Sequence, residues 1–190
     1  VGKTFRPLSV IVIERVGTHQ GDTVNRKAVG IIALVLVIAG GVQAWRALSA
    51  APIEEAAQAN AGDLAVSVHM QGVDASTYVL DVTGDAAAAP VDLVRIALAT
   101  CVALHREGGD RSLVLARNGD PKFSLAAATV DELADDTQKP LYRARILVAR
   151  AVPEDGGERF SDPEGGALYV LSAIAENTTA FAKRWMGIQE

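Results

Sequence analysis

Apolar and polar positions along this chain change period several times, and each period predicts an element. Leu64, Val66, Val68 and Met70 alternate with small or polar residues, the pattern of a half-buried strand. The turn-like Gly72 to Ser76 follows, and Thr77 to Val82 is its expected hairpin partner. Pro90 stands at a first helical position with Asp92 in the first turn, and Val94, Ala97, Leu98, Cys101, Val102 and Leu104 recur at helical spacing until Gly108-Gly109. Ser112 to Arg117 and Lys122 to Ala127 read as two strands around the turn signal Asn118-Gly119-Asp120-Pro121.

Thr129 and Glu132 have the spacing of a capping box, which predicts a short helix through Asp136. Leu141 to Val152 fits both periods: Tyr142, Ala144, Ile146 and Val148 suit a strand, Tyr142, Ile146 and Ala149 a helix, and helix is preferred. A loop rich in Gly, Asp and Glu covers Pro153 to Gly166. The last helix has one face made of Leu171, Ile174, Ala175, Thr178, Phe181, Ala182 and Trp185, expected to pack on the sheet, with Gly187 as its cap.

A different pattern precedes the domain. Ala28 to Trp45 carries no charge, Arg26 and Lys27 lead into it, and Arg46 closes it. Its length as a helix, roughly 27 Å, approaches the ~30 Å hydrocarbon core of a bilayer. Ile31 to Ile38 is apolar on every side of a helix, so a spanning helix at 28–45 is preferred over a cleaved secretion signal or a buried soluble helix. Arg15, Arg26 and Lys27 on the amino-terminal side against Arg46 on the other place residues 1–27 in the cytoplasm and the domain outside it. For a bacterial cell this means a single-pass inner-membrane protein with a periplasmic domain. Val24-Asn25-Arg26-Lys27 also reads as a start, in which case 1–23 is not native protein. Residues 46–63, with seven Ala among Ser, Glu, Gln and Asn from Ala47 on, are expected to be exposed, as a tether or as a helical extension emerging from the bilayer. The expected fold class is α+β: a transmembrane helix, then one domain over 64–190 with a ββαββ core and carboxyl-terminal helices.

Charge narrows the partners. From Leu64 onward, 12 Lys and Arg stand against 18 Asp and Glu, a net of −6. No basic face with interleaved aromatics is present, which excludes nucleic acid. Gly40 and Ala44 form one small-residue pair in the apolar stretch, which leaves a homodimer open. A single cysteine, Cys101, rules out an intrachain disulfide, so the domain depends on its core.

The succession Leu115-Ala116-Arg117-Asn118-Gly119-Asp120-Pro121-Lys122-Phe123, then Pro140-Leu141-Tyr142, Gly165-Gly166 and Phe181-Ala182-Lys183-Arg184-Trp185 resembles a group of uncharacterised single-pass bacterial envelope proteins, over residues 110–187. The resemblance implies a membrane-tethered domain and carries no activity or catalytic residue with it.

Candidate chemistry is sparse. Cys101 and His105 lie four apart on one helix, the spacing at which a thiolate and an imidazole can meet, and form the one catalytic candidate. The alternative for the pair is a buried Cys beside a solvent-facing His. His19, His69 and His105 are dispersed, and no metal motif, phosphate loop, dinucleotide fingerprint or serine elbow occurs, so no metal or cofactor is expected. Glu54-Glu55 and Asp135-Asp136 read as solvated acidic pairs. The preferred reading is an envelope accessory or interaction protein with an envelope protein as partner. A periplasmic enzyme or small-ligand binder, released by signal cleavage, is the alternative.

Overall fold

The computed structural model describes residues 45, 48–72, 76–84, 88–135 and 137–188. Among them are five helices and five strands in the order α1 (48–59), β1 (Ala65–Gln71), β2 (Thr77–Thr83), α2 (Pro90–Arg106), β3 (Ser112–Arg117), β4 (Asp120–Leu125), α3 (Ala127–Ala134), α4 (Pro140–Arg150), β5 (Val152–Pro153) and α5 (Ala167–Met186). The strands form one sheet in chain order. Every neighbouring pair is antiparallel except β2 and β3, which run parallel across the connection made by α2.

Period-two alternation decides the faces. Val66, Val68 and Met70 pair with Val82, Leu80 and Tyr78, and the same face continues through Leu113 and Leu115 to Leu125 and Phe123. These side chains share a single core with residues from all five helices. The other face carries exposed His69 and a small separate cluster of Val79, Val114 and Ala116.

Two local devices fix the sheet. Asn118 and Gly119 both have positive φ, 51° and 80°, as a two-residue hairpin turn requires. Buried Asp81 accepts the Gly119 N–H through Oδ2 at 2.9 Å, and Asn118 Oδ1 accepts the Gly84 N–H at 3.2 Å, so the turn is bonded to the end of β2. The β3–β4 register shifts between Leu115 and Ala116, and Pro121 sits opposite Ala116, at a bulge where a residue without an N–H is tolerated.

The carboxyl-terminal half of α5 is held by aromatic packing. Phe181 stacks 4.6 Å from Phe123 and 5.8 Å from Trp185, centroid to centroid, and the fully buried Trp185 indole donates to the Ala116 carbonyl at 2.9 Å. Gly187, left-handed at φ 71°, closes the helix as expected. The loop after β5 is tied to the helices by charge-assisted bonds. Arg184 binds Asp155, and Arg145 Nη2 donates to Asp162 Oδ2 at 2.9 Å.

Several expectations are corrected. The fold is α+β, but its sheet has five strands rather than four, and among the described residues no helix is long and apolar enough to cross a membrane. The spanning helix read at 28–45 lies outside the described residues, apart from Trp45. Residues 48–59 are helical, one of the two forms expected of this stretch, but they are not exposed throughout: they form α1, whose Ala50, Ile53 and Ala57 enter the core with Ala61 behind them. Alanine-rich composition concealed this, because the small side chains that make a good helix surface also allow close approach to a neighbouring element. No capping box forms at Thr129, since α3 starts two residues earlier at Ala127 and places Thr129 inside the helix. The ambiguous stretch is helix up to Arg150, and its last residues supply the edge strand β5.

If α1 belongs to the core, Ile53→Ala should lower the unfolding free energy by about 2–4 kcal/mol in urea titration, as a buried large-to-small change does. A tether residue would change it by less than about 0.5 kcal/mol. Hydrogen bonds from Arg184 and Arg145 hold the Asp155 and Asp162 carboxyls below the usual carboxylate range. A lowered folded-state value means stability that is complete above the unfolded range, near pH 4, and lost as pH falls through the folded values. Melting curves of Asp155→Asn/Asp162→Asn should therefore fall below wild type at neutral pH and converge with it in acid. A constant offset across pH would show that these pairs do not couple the loop to folding.

Candidate functional site

Cys101 and His105 share α2 but face different surroundings. Cys101 is fully buried, and that burial pushes its thiol up to about 12 against a smaller opposing pull from the Arg143 charge. His105 is exposed, with Nδ1 2.8 Å from Asp131 Oδ1 on α3. No hydrogen bond joins the thiol to the imidazole among the described residues. His69 is exposed on β1, far along the chain from either. Glu54 accepts a bond from Gln58, and Asp135 accepts the N–H and hydroxyl of Thr137, so these carboxylates serve local turns of backbone. Among the described residues no group of three or more His, Cys, Asp or Glu is placed to hold a metal ion.

A concavity lies elsewhere, in a groove of about 930 Å³ between α1, α2, α4 and α5. Its origin is legible in α2. Ile96 to Leu104 carries no charge, so this helix is apolar nearly all round and needs cover on two sides. Leu93, Ile96, Ala97, Cys101 and Leu104 go to the core beneath. Val91, Val94, Leu98 and Val102 turn toward the groove, where α4 supplies Leu141 and Ala144 and α5 supplies Leu171, Ile174 and Ala175. The expectation that the whole α5 stripe packs on the sheet thus holds for only part of it. Phe181, Ala182 and Trp185 are buried, whereas Leu171 is 47% exposed and forms a wall.

Apolar side chains stand in water around the mouth. Val91 is 65% exposed and Leu141 48%, with Leu168 and Tyr169 one turn before Leu171 also exposed. Patches of this kind mark contact surfaces more often than they occur by chance. The polar lining is largely committed: Asn60 Nδ2 donates to Ala56 O and Thr179 Oγ1 to Ala175 O, each within its own helix. Arg95 bonds Asp92 and the Asn60 carbonyl. Arg143 donates through Nε to the Leu133 carbonyl at the end of α3, 2.8 Å away, while its buried Nη2 has no acceptor. The charged residues lining the groove are Arg95, Arg106 and Arg143, all cationic.

A residue-type search for nucleophiles and ligands missed this site because its chemistry is apolar. The signal that finds it is the uncharged run in α2, joined to an α5 stripe longer than one sheet face can bury. With Cys101 enclosed and its thiol raised to about 12, the native protein at pH 8 should not react with a thiol-specific chromogenic disulfide and should react fully in denaturant. Rapid native labelling would show the thiol to be accessible and return it to the list of nucleophiles. No family model matches the chain, and no curated protein or solved structure matches it either.

Proposed function

We propose that this domain is an interaction module that seats an apolar segment of another protein in the groove between α1, α2, α4 and α5. The observation that carries the reading is the groove itself: an apolar floor of about 930 Å³ whose rim residues Val91, Leu141 and Leu171 are left in water. Burying such surface at roughly 25 cal/mol per Å² is the usual source of affinity at a helix-lined cleft. Several polar side chains that line the groove, Asn60, Arg95 and Thr179 with Nε of Arg143, are spent on their own helices or on neighbouring backbone, and that favours docking over group transfer.

The groove runs along α2 from Pro90 to Arg106, a helical length of about 24 Å. An occupant of matching length is a helix of about 16 residues. The test is selection from a phage-displayed library of amphipathic helical peptides of that length against the full chain. Ala175→Trp fills the groove from an exposed helix position that leaves the core untouched. Peptides enriched on wild type should bind Ala175→Trp at least tenfold more weakly by fluorescence anisotropy. Equal enrichment on the two proteins, or none on either, would mean that the groove is not a docking site.

A further inference from the structure

We propose that the open edge of the sheet is a dimer seam: β1 pairs antiparallel with β1 of a second copy of this chain, centred on Val68, so that two sheets join into one with both helical layers on the same side.

The two edges of the sheet are built differently. In the order β1-β2-β3-β4-β5 the outer strands are β1 and β5. β5 is two residues long, and one of them is Pro153, which has no N–H to offer. The strand beside it is bulged against β3 and carries Pro121 and Lys122. β1, by contrast, pairs with β2 over seven consecutive residues without a register shift. Its sequence from Ala65 to Gln71 contains no proline, no glycine and no charged side chain. Among the described residues its backbone is bonded only along the β2 side. A regular strand with one whole row of N–H and C=O groups unpaired is a template for another strand, and here none of the usual devices blunts it.

The strand's own pattern identifies a second copy as the occupant. Antiparallel pairing places directly opposed residues on the same face of the sheet. With Val68 opposite Val68 of the second copy, Val66 meets Met70, Ser67 meets His69 and Ala65 meets Gln71. All seven residues then find a counterpart, buried opposite buried and half-buried or exposed opposite exposed. Val66, Val68 and Met70 already belong to the core, so the apolar layer continues across the seam. The chain carries a net charge of −5, yet none of that charge lies on the strand, and no like charges are opposed.

A seam on this edge also terminates itself. Each copy uses its one long edge in the pairing, and the short β5 edges are left at the two ends. The product is a closed two-fold dimer rather than a growing fibre.

β1 contributes nothing to the lining of the groove, so the test is independent of the docking reading. It is sedimentation velocity of the full chain, in a mild non-ionic detergent that accommodates the apolar stretch Ile31 to Ile38. Wild type should sediment as a dimer at micromolar concentration. Ala65, His69 and Gln71 are exposed, so substitutions there leave the core untouched. Ala65→Lys/His69→Lys/Gln71→Lys sets like charges across the seam and should raise the dimer dissociation constant at least tenfold, as should Ala65→Glu/His69→Glu/Gln71→Glu. An equal mixture of the two variants should form a heterodimer, which also establishes that each is folded. In hydrogen exchange, the β1 amides turned away from β2 should be protected in the wild-type dimer and exchange fast in either variant alone. A monomeric wild type, a dimer that both variants retain, or variants that do not combine would each overturn the seam. A wild-type dimer whose β1 amides exchange as fast as those of the variants would put the contact elsewhere on the molecule and overturn it too.

Discussion

The seating of Trp185 and Phe181 against β3 and β4 is the constraint from which the rest of the molecule's shape follows. Once the indole is bonded to the Ala116 carbonyl and the Phe181 ring is packed between Phe123 and Trp185, the direction of α5 is set by its last two turns. Its first half lies beside α4, with Ile174 buried and the rest of the apolar stripe along the groove. Among the described residues, all five helices contribute to the core on one face of the sheet. Leu171 and Ala175 are left facing across to α2, and a groove results from a helix longer than its bed.

Arg184 links that seat to the loop between β5 and α5. It stacks 5.7 Å above the Phe123 ring, binds Asp155 and donates to the Glu158 carbonyl at 3.0 Å. Gly157 leaves room for it, since a Cβ there would displace the guanidinium. A loop without secondary structure is thereby attached at both ends of its course, by Arg184 near its start and by Arg145 and Asn177 further on.

Much of the fold was legible in the sequence because local chemistry and global packing agree there. The β1–β2 hairpin, the Pro90 start of α2, the Asn118-Gly119 turn and the Gly187 cap each rest on one or two residues whose backbone preferences leave little choice. The misreadings have a common cause. In α1, and at the junction of α4 with β5, tertiary packing selects between states that the residues themselves tolerate almost equally. The candidate site was hardest to read for a related reason. No single residue marks it, and Val91, Leu98, Leu141 and Leu171 become a site only when α2, α4 and α5 are brought side by side.

The divided α5 also bears on how such a domain changes over generations. At Phe181 and Trp185 a substitution is judged by the core, where a cavity or a lost indole bond disturbs the whole fold. At Leu171, Ala175 and Thr179 the core exerts little control, because exposed positions on the groove wall place few demands on the sheet below. One helix thus contains a portion that the core holds fixed and a portion that the fold leaves free to vary.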